Sequence, residues 1–76
     1  MRIEILGTGC PKCHALEANA RAAVASLGLE AEIAKVEEIM EITARGVMMT
    51  PALAVDGEVK SVGKVLSEAE IAKLIG

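Results

Sequence analysis

The sequence contains no phenylalanine, tyrosine or tryptophan. Its core must be built from alanine, valine, isoleucine and leucine, and no aromatic ring is present to line a peptide groove. No apolar run approaches the roughly 18 residues of a membrane span. The chain opens on a strand pattern rather than a basic and then apolar segment, so no export signal is expected. The net charge of −3 leaves no electrostatic footprint for nucleic acid. Cysteine is limited to two residues and histidine to one. The expectation is a cytoplasmic protein without a disulfide framework, monomeric, with no nucleic-acid or membrane partner. With 76 residues it makes one domain, spanning 1–76. Its core is modest, since chains this short bury only about 60% of their unfolded surface.

The scarce residues are not scattered. Both cysteines and the histidine fall in Gly9-Cys10-Pro11-Lys12-Cys13-His14. This stretch follows an apolar strand, Arg2–Leu6, and a Gly7-Thr8-Gly9 turn, and it opens the longest helical pattern in the chain. Proline is favoured at the first helical position, where its missing N–H costs nothing. Pro11 at that position makes Cys10 the N-cap. The Cys10 sulfur then faces free backbone N–H groups and the positive end of the helix dipole. Both favour the thiolate, which is the nucleophilic form. Lys12 and His14 add positive charge nearby, although solvent-facing positions are expected for both. Cys13 lies one turn on, within reach of a disulfide and less exposed. The expected division of labour is that Cys10 attacks and Cys13 resolves. A Cys10–Cys13 bridge closes too short a loop to add much folding stability, so its use is chemical.

The rest of the chain reads in order. Residues 2–6 alternate as a strand. The helix from Pro11 places Cys13, Leu16, Ala20, Val24 and Leu27 at helical spacing, and Gly28 supplies a left-handed stop. Leu29–Ile33 alternates again as a second strand, giving a right-handed βαβ unit with parallel strands. Val36, Ile39, Met40 and Thr43 fit one face of a short helix over 37–45, ended by Gly46. Ala52–Val55 and Glu58–Val62 are strands joined by Asp56-Gly57, a two-residue hairpin signal. Ser67 and Glu70 form a capping box, with Leu66 stapled onto Ile71, and open a last helix whose apolar face is Ile71, Leu74 and Ile75. The order is βαβαββα.

With these residues in place, the chain resembles the small thioredoxin-like and glutaredoxin-like disulfide proteins of archaea and bacteria. The resemblance rests on Cys10-Pro11-Lys12-Cys13 after the first strand, Thr50-Pro51 before the third, Val55-Asp56-Gly57 at the hairpin and Gly63 before the last helix. It implies an α/β thioredoxin-like fold. It implies a sheet of four mixed strands in order 2-1-3-4, with the first and third helices on one face and the second on the other. It implies a cis Thr50-Pro51 bond beside the cysteines, with the Thr50 backbone offered to a substrate strand. It also implies a thiol–disulfide oxidoreductase acting on protein disulfides and fed by a thioredoxin-reductase-like donor. No cofactor is expected beyond the redox-active Cys10–Cys13 disulfide. Gly9 stands where larger thioredoxins carry tryptophan, and Lys12 where glutaredoxins often carry an aromatic residue. The expected activity is therefore protein disulfide reduction rather than glutathione-dependent reduction. Val47, Met48 and Met49 would meet an extended substrate beside Thr50.

Other readings of the same residues stay open. Cys10-Pro11-Lys12-Cys13-His14 matches the c-type haem attachment pattern, but a strand precedes it and no export signal is seen. Two soft thiolates would also suit a copper or zinc carrier, although such carriers run βαββαβ and end on a strand. A structural zinc needs four ligands, which Cys10, Cys13 and His14 do not supply. The same dithiol would serve equally as a relay or sensor for one dedicated partner. Met48 and Met49 read as core filler more readily than as binding surface. Glu4 falls in a strand where a carboxylate needs an explanation: it lies at the sheet's end, or it is a buried proton acceptor for Cys13.

Overall fold

The computed structural model describes residues 1–76. Strands β1 (Arg2–Leu6), β2 (Glu32–Val36), β3 (Ala52–Val55) and β4 (Glu58–Val62) alternate with helices α1 (Pro11–Leu27), α2 (Ile39–Ala44) and α3 (Glu68–Ile75) in the order βαβαββα. The sheet order is β2-β1-β3-β4. β1 pairs in parallel with β2 and antiparallel with β3, and β4 returns antiparallel on β3. This is the thioredoxin-like α/β architecture expected from the resemblance.

The local signals explain the element ends. Gly28 caps α1 in the left-handed region (φ 64°), with its N–H on the Ala25 carbonyl and the Leu29 N–H on the Val24 carbonyl. Asp56 (φ 51°) and Gly57 (φ 85°) both take positive φ, as a tight hairpin turn demands. Ser67 and Glu70 form both hydrogen bonds of the capping box. Leu66 and Ile71 are both buried in the same cluster, as the staple requires.

Period 2 along β1 divides its side chains between two faces. Ile3, Ile5, Leu53 and Val55 face α1 and α3, packing with Leu16, Ala20, Ala23, Leu66, Ile71 and Ile75. Leu6, Ala52 and Ala54 face the other way, with Val36, Ile42 and Val47.

Four expectations need correction. β2 runs Glu32–Val36 rather than Leu29–Ile33, because its register is set by parallel pairing from Arg2↔Glu32 to Leu6↔Val36. The alternation read over 29–33 is nonetheless real, since Leu29, Ala31 and Ile33 all lean on the α1/α3 core. The buried stripe of α1 is Cys13, Leu16, Ala20 and Ala23, leaving Val24 half-buried and Leu27 exposed. Small Ala20 and Ala23 let α3 pack close there. On α2 only Ile42 is buried, while Ile39, Met40 and Thr43 are exposed. A helix of six residues touches the sheet at little more than one point. Leu74, expected on the α3 apolar face, is also exposed.

Candidate active site

The site forms where β1 ends and α1 begins. Cys10 is the N-cap residue of α1, extended at φ −71° and ψ 165°, with Pro11 behind it at the helix start. Its sulfur accepts a hydrogen bond from the Cys13 backbone N–H at 3.4 Å. The two sulfurs lie 2.6 Å apart in the reduced pair. Cys10 is half-buried, whereas Cys13 is 5% exposed. Hydrogen bonds from the Cys13 side chain and backbone hold the Cys10 thiol below its ordinary range, with a further contribution from the Lys12 N–H. Burial pushes the Cys13 thiol up, and the contact with Cys10 adds to it. The same residue type thus sits in two opposed environments one helical turn apart.

Glycines make the close approach feasible. A Cβ on Gly7 would collide with the Cys13 sulfur and would sit 3.8 Å from the Thr50 Cβ. Gly9 takes φ 87°, which turns the chain into the helix. The Thr50-Pro51 bond is cis, and the Pro51 carbonyl accepts from the Gly63 N–H at 2.8 Å. Pro51 is buried while Thr50 is exposed beside Gly7. Met49 packs alongside Gly63, whose Cβ position is 3.3 Å from the Met49 Cβ.

The structure brings Cys10, Cys13, Thr50 and Pro51 to one end of the sheet. Lys12 and His14 are both exposed. Met48 and Met49 are not core filler, for they are 83% and 64% exposed. The two methionines follow the Gly46 turn on a loop outside the sheet, so no strand face covers them. Beside the cysteine turn a hollow of about 210 Å³ is lined by Thr8, Ile39, Ile42, Val47, Met48 and Thr50. A larger groove of about 480 Å³ lies between β4 and α3 and includes neither cysteine.

Glu4 is neither at the sheet's end nor a partner of Cys13. It sits in mid-β1, 4% exposed, with Ala34 and Ala54 as its neighbours across the sheet. Its carboxylate accepts a two-pronged bond from Arg45 at 2.9 and 2.8 Å. That bond holds the Glu4 carboxyl below the usual carboxylate range. Glu4 alternates with Ile3 and Ile5, so it faces α2 while Cys13 lies with the α1 face. The sheet separates them. Arg45 escaped the sequence reading because its partner is 41 residues away. Gly7 read only as a turn residue, and nothing in the sequence signals a sulfur against its α-carbon. The chain also ends on a helix, unlike the βαββαβ order of the metal carriers.

A family model described as a thioredoxin domain matches residues 1–76. A thioredoxin of Methanothermobacter thermautotrophicus is 49% identical over 75 residues, covering 99% of this chain and 97% of its own length. A thioredoxin of Methanocaldococcus jannaschii is 46% identical over 69 residues, covering 91% of this chain and 79% of its own. With a paired Cys-x-x-C at a helix start, the expected sheet order and these relatives together, the chain belongs to the thioredoxin family of thiol–disulfide oxidoreductases.

Proposed function

We propose that this protein reduces disulfides in other proteins by cycling Cys10 and Cys13 between dithiol and disulfide. The observation that carries the reading is the asymmetry of the pair. Cys10 is half-exposed, N-capping and held toward the thiolate, while Cys13 is buried and held toward the thiol. Cys10 attacks one substrate sulfur, forming a mixed disulfide and releasing the other sulfur as a thiolate. Cys13 then attacks the Cys10 sulfur. The Cys10–Cys13 bond forms, the mixed disulfide breaks, and the substrate leaves reduced by two electrons.

Each neighbouring residue has a part in this scheme. Pro11 sets the helix start that puts N–H groups at Cys10, and the Lys12 N–H supports the sulfur from there. Exposed Lys12 adds positive charge at the rim, with His14 beside it. Thr50, Pro51 and Met49 form the bank along which an extended substrate lies. The hollow between Thr8 and Met48 receives an apolar side chain next to the substrate cysteine. The redox-active disulfide is the only prosthetic element the scheme needs. Electrons come from a thioredoxin-reductase-like donor, and the setting is cytoplasmic, where thiols are kept reduced. The naming of both relatives as thioredoxins supports this reading.

The test is insulin-disulfide reduction with dithiothreitol as donor. The protein should accelerate it, and Cys10→Ser should abolish the acceleration. Reduction of a glutathione mixed disulfide, with glutathione as sole donor, should be weak. The reverse pattern would make the protein a glutaredoxin in function. A reversible disulfide that turns over neither substrate would replace the general reductase with a relay for one partner.

A further inference from the structure

The largest cavity in the molecule takes no part in the proposed cycle. It is the groove of about 480 Å³ between β4 and α3. Cavities that hold ligands span about 300–1,000 Å³. β4 pairs only with β3, so the outer edge of the sheet is free beside the groove. One end of the groove reaches the cysteine end of the sheet. Val62 and Lys64 both line it, and the Gly63 N–H between them bonds the Pro51 carbonyl at 2.8 Å. From there the groove runs back along β4 as far as Lys60.

Its charge runs against that of the whole chain. The net charge is −3, yet three of the eight lysines and arginines, Lys60, Lys64 and Lys73, line this one groove. Lys60 is paired with Glu58 at 2.8 Å, but Lys64 and Lys73 take part in no ion pair. Glu70 is the one carboxylate in the lining, and it is engaged with the Ser67 N–H at 3.0 Å in the capping box. Ser61 lines the groove as well. Its hydroxyl is the only buried side-chain polar atom in the molecule without a hydrogen-bond partner. An orphan of that kind calls for a partner. Val62 and Leu74, 41% and 42% exposed, give the walls an apolar part. A fitting occupant therefore carries several carboxylates and some apolar side chains. Entry as a fifth strand is opposed by the bulge at Lys60, which faces no residue of β3 and breaks the regular edge. We propose that this groove docks an acidic segment of a partner protein through its side chains, while the partner's disulfide lies at Cys10. Lys64 and Lys73 attract the carboxylates of the segment and speed its encounter. The Ser61 hydroxyl donates to one of them.

This inference rests on the reductase reading, and its test has one arm for each. The first arm measures binding alone. A fluorescent peptide without cysteine carries three glutamates among leucines, and its control carries glutamines instead. In anisotropy titrations at low salt the acidic peptide should bind about fivefold tighter than the control. Lys64→Gln combined with Lys73→Gln should remove that advantage, as should about 1 M salt. Both lysines are exposed, so the melting temperature should not move. Ser61→Ala should weaken the acidic peptide about threefold. The second arm adds a flexible spacer and one cysteine to each peptide, as a mixed disulfide with 5-thio-2-nitrobenzoate. Reduced protein should release the coloured thiol about fivefold faster from the acidic peptide. The double variant should release it from both at the rate of the control. Equal binding and equal release for the two peptides would overturn the proposal, and so would an acidic preference that survives in the double variant. Displacement of the acidic peptide by inorganic phosphate at constant ionic strength would make this a small-anion site and overturn it too. Binding of the acidic peptide without release from either mixed disulfide would overturn the reductase reading and not the groove.

Discussion

The two faces of the sheet are built differently. The face toward α1 and α3 holds ten buried apolar residues and no buried charge. The face toward α2 holds six, and a bidentate Glu4–Arg45 pair closes part of it. The thick face carries Cys13 and the base of Cys10. The thin face leaves Ile39, Met40, Met48 and Met49 exposed. The difference teaches a separation of duties. Thiol chemistry needs sulfurs held within a few tenths of an ångström, and a long, well-packed helix gives that. On the proposed reading, recognition of varied chains needs adaptable apolar surface, and a short helix followed by methionines would give that.

Truncation of each core tests the contrast most strongly. Leu16→Ala opens a hole under the long helix and should cost about 4 kcal/mol, whereas Ile42→Ala, under a helix that can settle, should cost about 2 kcal/mol. Urea denaturation of both variants measures this, and an equal or larger loss at Ile42 would break the comparison.

Next comes the ion pair. Arg45→Ala leaves a buried carboxylate with only Arg2 nearby at 3.7 Å, and should lower stability at pH 7, by less than Leu16→Ala does. The pH dependence has a definite sign. Glu4 is depressed in the folded state, so its contribution is complete above the unfolded value of about 4.3 and is lost as pH falls through the folded one. The gap between wild type and Arg45→Ala should therefore narrow in stability curves taken below about pH 4. A gap that stays constant with pH would mean that packing, and not charge, holds that face.

The smallest effect on stability sharpens the functional half of the contrast. Met48→Ser touches no core and should move stability by less than about 0.5 kcal/mol. It should still lower kcat/KM for insulin about fivefold, through about 1 kcal/mol of lost apolar docking. Reduction of a small aromatic disulfide, which needs no docking surface, should be untouched by the same change.

The sequence by itself determined whatever a few neighbouring residues decide. Pro11 after Cys10 marks the helix start, Gly28 its end, Asp56-Gly57 the hairpin, and Ser67 with Glu70 the last helix, because each acts through the backbone within one turn. Together with Thr50-Pro51 they made the family and the strand order legible. The tertiary structure decided what depends on residues far apart in the chain. Pairing with β1 set the true start of β2. The brevity of α2 put Ile39 and Met40 outside, and the loop after Gly46 did the same for Met48 and Met49. Arg45 found Glu4 across 41 residues and took it away from Cys13. Lys35 and Glu37 came to line a small hollow with Gly9 and Cys13 only because β2 runs parallel beside β1. Periodicity reports which residues are apolar on one side. It does not report how much of that side another element will cover, nor which charges folding will bring together.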